Sequence, residues 1–134
     1  MANTVCIVLV TSLFVLGDAE QLYPGVVKAY IHKKSEETRV TVNKELRLAA
    51  NEVKSRLTTE EQRACVNNQL GKLFDEGNTK ISLATKRLFN LADSHSANLS
   101  SASTTDVHKV VDSEFAKIVN EQPEKVVELN KCLG

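Results

Sequence analysis

Tryptophan is absent from this chain, and proline occurs only at Pro24 and Pro123. Strand-rich folds need frequent turn signals, so the long proline-free stretches argue against a sandwich or a barrel. Those stretches are rich in Ala, Leu, Glu, Lys and Gln, the residues that lose least on entering a helix. Aromatic residues are scarce too, four Phe and two Tyr in 134 residues. A cavity for an apolar ligand is usually lined by aromatics, so this scarcity counts against a carrier. Charge of one sign is also lacking. Seventeen Lys and Arg balance seventeen Asp and Glu, for a net charge of +0. Nucleic-acid binding needs clustered cations to neutralise phosphates, so it is not expected. The densest basic run, "HKK" at 32–34, is followed at once by "SEET" and reads as a solvated helix face rather than a polyanion site.

Long hydrophobic runs are confined to residues 5–17, "VCIVLVTSLFVLG". Such a run is too short for a bilayer core, which takes about 20 helical residues. Small residues follow at Gly17 and Ala19, so residues 1–19 are expected to be a secretory signal peptide cleaved after Ala19. The leading "MANT" departs mildly from the pattern in carrying no Lys or Arg. The plainer alternative, a buried first helix, conflicts with the abrupt change to mixed charge after Asp18. Cleavage removes Cys6 and leaves Cys65 and Cys132 of the three cysteines. In an oxidising compartment that pair is expected to form a disulfide. Closing so long a loop stabilises by about 4 kcal/mol in the chain-entropy account. "NLS" at Asn98, inside the polar stretch "SHSANLSSASTT", is a candidate glycosylation site. With no second apolar span, the expectation is an extracellular protein of one domain over 20–134, without membrane insertion.

Three helices are expected within that domain. The first starts at Pro24, whose missing N–H costs nothing at the first helical position. Its stripe runs Val27, Ile31, Ser35, Thr38, Val42, Leu46, Ala49, Val53, Leu57. "RVTVN" has local strand character, but a lone strand would have no partner. "LTTEEQ" then breaks and restarts the chain, with either Thr58 and Glu61 or Thr59 and Gln62 as a capping box. The second stripe runs Val66, Leu70, Leu73, Gly77, Ile81, Ala84, Leu88, Leu91, His95. Gly77 in "DEGN" is a possible left-handed cap, which would split the bundle into four or five helices. The apolar phase passes through Gly77 unshifted, which favours one helix weakened there by about 1 kcal/mol; Gly77→Ala is then expected to stabilise. The last helix opens with Ser103 capping near Asp106, buries Val107, Val111, Phe115, Ile118, Val126, Leu129 and Leu133, and should kink at Pro123. The sum is an all-α antiparallel bundle. The cysteines give an independent check. Cys65 lies about 45 Å from His95 and Cys132 about 42 Å from Thr104 along their helices, so both reach the same height.

Chemistry is harder to find. His32, His95 and His108 show no metal-binding spacing; the Ser-rich loop could bring only His95 and His108 together. "DEGNT" lacks the ligand pattern of a calcium loop. Asp112 and Glu114 fall on different helix faces with no assignable acid or base partner. No catalytic residue, metal or cofactor is expected, and an enzyme is disfavoured. Two readings remain: a helical rod whose exposed faces bind another protein, or a carrier of a small apolar ligand. The small residues Ala49, Gly77 and Ala84 suggest helices packed too tightly for an internal cavity, which favours the first.

The short leader, the helical chain of this size, the neutral charge and the closing "NKCLG" resemble the small salivary proteins of anopheline mosquitoes of the anophensin and albicin type. Odorant-binding proteins fit less well, because they hold six cysteines where this mature chain has two, and the TsetseEP-like secreted domains also end near a cysteine but carry more of them. The resemblance implies a salivary inhibitor that binds a host plasma component of the alternative complement pathway or of kallikrein–kinin contact activation. It carries over no individual binding residue.

Overall fold

Pro24 opens the first helix in the computed structural model, which describes residues 22–99 and 102–134. The expected signal peptide, with Cys6 and the cleavage point before Glu20, lies outside the described residues. Helix α1 (Pro24–Lys54) buries Val27, Ile31, Ser35, Thr38, Val42, Leu46, Ala50 and Val53 on one face. Ser35 and Thr38 enter the core without leaving a donor unpaired. Their hydroxyls donate to the carbonyls of His32 and Lys34, each at 2.7 Å. "RVTVN" is helical throughout.

Residues 55–59 turn the chain, and Thr59 caps helix α2 (Glu60–Ser94). The choice between two capping boxes falls on Thr59 and Gln62. The Gln62 N–H donates to Thr59 Oγ1 at 3.1 Å, and Gln62 Oε1 accepts from the backbone N–H groups of Thr59 and Thr58. Helix α2 continues through Gly77, which is buried in it. Only Gly134 has a positive φ among the described residues, so no left-handed cap interrupts the helix. What Gly77 provides is proximity. A Cβ there would lie 3.2 Å from Val42 Cγ1, so α1 and α2 approach closely at this level. That contact sets a packing cost against the helix gain expected for alanine, and whether Val42 can give way decides the sign.

The polar stretch expected as loop contains one helical turn, α3 (Ser96–Leu99), whose Leu99 is buried in the core. Helix α4 (Thr104–Asn120) starts where expected, with Ser103 Oγ accepting from the Asp106 N–H. The break near Pro123 falls at Glu121, and α5 (Gln122–Asn130) resumes the same direction. Pro123 has no N–H to continue the ladder. At the break the buried Gln122 side chain donates to the Ile118 carbonyl at 3.1 Å. A short 3-10 turn, Lys131–Leu133, then brings Cys132 against α2.

Cys65 and Cys132 are joined, with an S–S distance of 2.02 Å and Cα atoms 5.7 Å apart. The expected match in height is met. Gln62 Nε2 also reaches the Leu133 carbonyl at 3.4 Å, and Arg56 donates to Asn130 Oδ1, so the chain's end is held at three points. The result is an all-α antiparallel bundle of three helical rods, the third broken at Glu121, with no strand among the described residues. Ion pairs stitch the seams: Lys28 to Asp93, Lys80 to Glu121, Arg87 to Glu114 and Lys125 to Glu76. Each is solvent-accessible and contributes little stability.

Candidate functional site

The bundle end opposite the disulfide is less completely packed. Here the start of α1, the end of α2 and the start of α4 meet. Two positions expected in the core are displaced at this level. Ala92 points inward where Leu91 was expected, and Leu91 is 44% exposed. His95 is exposed as well. Along α1 the same shift places Ala50 rather than Ala49 in the core.

Two grooves result, one on each side of α4. The first, of about 260 Å³, runs between α2 and α4, with Leu88 and Val111 at its floor and Leu91, His95 and Val110 on its walls. Its lining is almost wholly apolar. Val110 is 56% exposed, and Leu83, two turns up α2 from Leu91, is exposed too. Lys86 and Arg87 lie beside these leucines on the outer face of α2. Arg87 pairs with Glu114 at 2.7 Å, and Lys117 reaches the same carboxylate at 3.0 Å. Hydrogen bonds from those two cations hold the Glu114 carboxyl below its ordinary range, against an opposing effect of burial. Glu121 is lowered likewise, first by its hydrogen bond from Lys80.

The second groove, of about 680 Å³, runs between α1 and α4, with Val26, Ala29, Tyr30 and Lys33 on one wall and Val107 and His108 on the other. Tyr30 and His108 stack, ring centroids 3.7 Å apart and planes 6° from parallel. The Tyr30 hydroxyl donates to Asp112 Oδ1 at 2.7 Å. Burial, then the bond to Asp112 and its negative charge, push the Tyr30 pKa up to about 12. Lys34 approaches Asp112 at 3.9 Å and Glu37 at 3.2 Å.

The residues singled out in the sequence are therefore scattered. Cys65 and Cys132 are bonded at the far end. Asn98 is exposed on the single turn α3, where a glycan has access. His95 and His108 line different grooves and form no pair. No group of three or more His, Cys, Asp or Glu able to hold a metal occurs among the described residues. Asp112 and Glu114, without assignable partners in the sequence, each gain one from another helix. The "HKK" run is divided, since Lys34 faces acidic neighbours while His32 and Lys33 stay exposed. Sequence reading does not bring Tyr30 to His108, because the contact joins two helices. The one local signal is the spacing of His108 and Asp112, which puts both on one face of α4.

No described helix is long and apolar enough to cross a membrane. Comparison with family models, with curated proteins and with solved structures finds no match to this chain.

Proposed function

We propose that this chain is a secreted, non-catalytic binding protein that engages one extracellular protein partner stoichiometrically. The observation that supports this reading is the apolar seam of α2 and α4, where Leu83, Leu91 and Val110 stand exposed around a small apolar groove. Exposed apolar residues gathered at one place mark contact surfaces, whereas single ones are ordinary. The groove accommodates one or two apolar side chains, and Lys86, which joins no ion pair among the described residues, favours a partner with an acidic rim. A rod pinned by a disulfide has little conformational entropy left to lose, so burial at the seam is converted efficiently into affinity.

The resemblance to mosquito salivary proteins gives the partner a candidate identity. On that reading the seam binds a host plasma component of the alternative complement pathway or of the contact system. The test adds purified protein to plasma and follows complement lysis and kallikrein generation. Inhibition of one cascade, saturating near one molecule per target complex, is the expected result. The variant Leu91→Asp with Val110→Asp, both positions exposed, should keep its helical signal and lose the inhibition. Full activity of both cascades overturns the plasma reading, and undiminished inhibition by the double variant overturns the seam.

A further inference from the structure

The groove between α1 and α4 has a different character from the seam. We propose that it binds a free monocarboxylate amphiphile of the fatty-acid class, with the tail along the apolar walls and the carboxylate at Lys33. Its volume of about 680 Å³ lies within the range of small-molecule sites, which run from about 300 to 1,000 Å³. Val26, Val27 and Val107 give it apolar walls, and the stacked rings of Tyr30 and His108 give it a flat, rigid side.

Charge decides the class of ligand. Among the described residues no carboxylate lines the groove, and Lys33 is the one formally charged residue that does. Lys33 sits one residue before Lys34, yet only Lys34 faces acidic neighbours. Lys33 joins no ion pair among the described residues, so its ammonium is free to meet an anion at the groove's edge. Asp112, a carboxylate behind the wall, is already engaged by the Tyr30 hydroxyl and approached by Lys34, which limits its repulsion of an incoming anion. An amine ligand would meet Lys33 with like charge and gain no counter-charge from the lining. A neutral apolar ligand would leave Lys33 unused.

This groove shares Val27 and Val107 with the seam groove but opens on the other side of α4, away from Leu91 and Val110, and does not depend on the partner-binding reading. The test titrates secreted protein with dansyl-labelled undecanoate, a fluorescent monocarboxylate, and with its methyl ester. Saturation at one equivalent with micromolar affinity, and displacement by oleate, are expected. Lys33→Gln should weaken binding of the acid about tenfold and leave the ester unchanged, since a charge-assisted contact has been removed. Val26→Glu, at an exposed position, should abolish binding of both probes. No uptake of the acid, or uptake indifferent to Val26→Glu, overturns the site. Equal affinity for acid and ester, both unaffected by Lys33→Gln, overturns the carboxylate assignment. A Val26→Glu variant that turns a dimer into a monomer without changing uptake gives the groove to a second copy and overturns the proposal as well. Because Leu91→Asp with Val110→Asp should leave probe binding intact, failure of one surface is separable from failure of the other.

Discussion

Gly77→Ala measures how closely α1 and α2 approach, and its sign is not the one a helix alone dictates. Replacing glycine by alanine inside a helix gains about 1 kcal/mol. The added Cβ, however, would sit 3.2 Å from Val42 Cγ1. Carbon pairs prefer about 3.5–4.0 Å, so one partner must retreat by a few tenths of an ångström. Val42 has little room to do so. It is 0% exposed, its branched side chain has one favoured rotamer in a helix, and Thr38 and Leu46 are buried one turn away on either side. Overpacking of this kind costs about 1–3 kcal/mol. The net effect should be destabilisation by about 1 kcal/mol, read as a lower urea midpoint of the helical circular dichroism signal. In a Val42→Ala background, already destabilised by its cavity, the obstruction is gone and the same change should stabilise by about 1 kcal/mol. The cycle therefore predicts a coupling of about 2 kcal/mol, within the range for residues in contact. Equal effects in both backgrounds would refute the close approach.

Three further outcomes are expected. Replacing both Cys65 and Cys132 by serine should cost about 4 kcal/mol, since the closed loop spans a separation of 67 residues; a urea midpoint unchanged by the double variant counts against the pinned terminus. Glu114 has a lowered folded pKa against an ordinary value of 4.5, so its contribution is present above that value and is lost as pH falls through the folded pKa. Acid titration of stability should show this decline, and Glu114→Gln should flatten it; identical acid limbs for the two proteins refute the pairing with Arg87 and Lys117. Protein secreted from eukaryotic cells should begin at Glu20 and carry a glycan lost in Asn98→Gln, as read by intact-mass spectrometry; retention of Met1 in secreted material excludes the leader.

How the helices would lie was legible because each long segment keeps one apolar phase. In α2 that phase even passes through Gly77, which a turn would have had no reason to preserve. Capping chemistry marked two helix starts, that of α4 at Ser103 and that of α2 to within one residue, where the structure takes Thr59 with Gln62 over Thr58 with Glu61. Other features needed three dimensions. The Tyr30–His108 stack depends on what a second helix presents, and nothing in local spacing encodes that. The 3.2 Å approach at Gly77 is of the same kind, because a sequence shows the missing side chain but not the valine above it.

The misplaced core residues follow from the geometry of the helix itself. At about 100° per residue, a step of three falls about 60° short of a full turn and a step of four passes it by about 40°. Both are tolerable, so a stripe can be continued in either way wherever apolar residues are adjacent. At Ala49–Ala50 and at Leu91–Ala92 the choice is open, and the helices take the step of four at both. In α2 the resulting steps of four, four and three match an 11-residue repeat, which does not wind helices left-handed, whereas in α1 the extra step of four to Ala50 interrupts that run. For α1 the choice matters little, since one alanine replaces another. For α2 it turns the larger leucine outward and puts the smaller alanine in the core, opposite to what burial of apolar area favours. The step of four thus leaves Leu91 beside Val110, and the departure from the simplest pattern falls at the seam proposed to bind a partner.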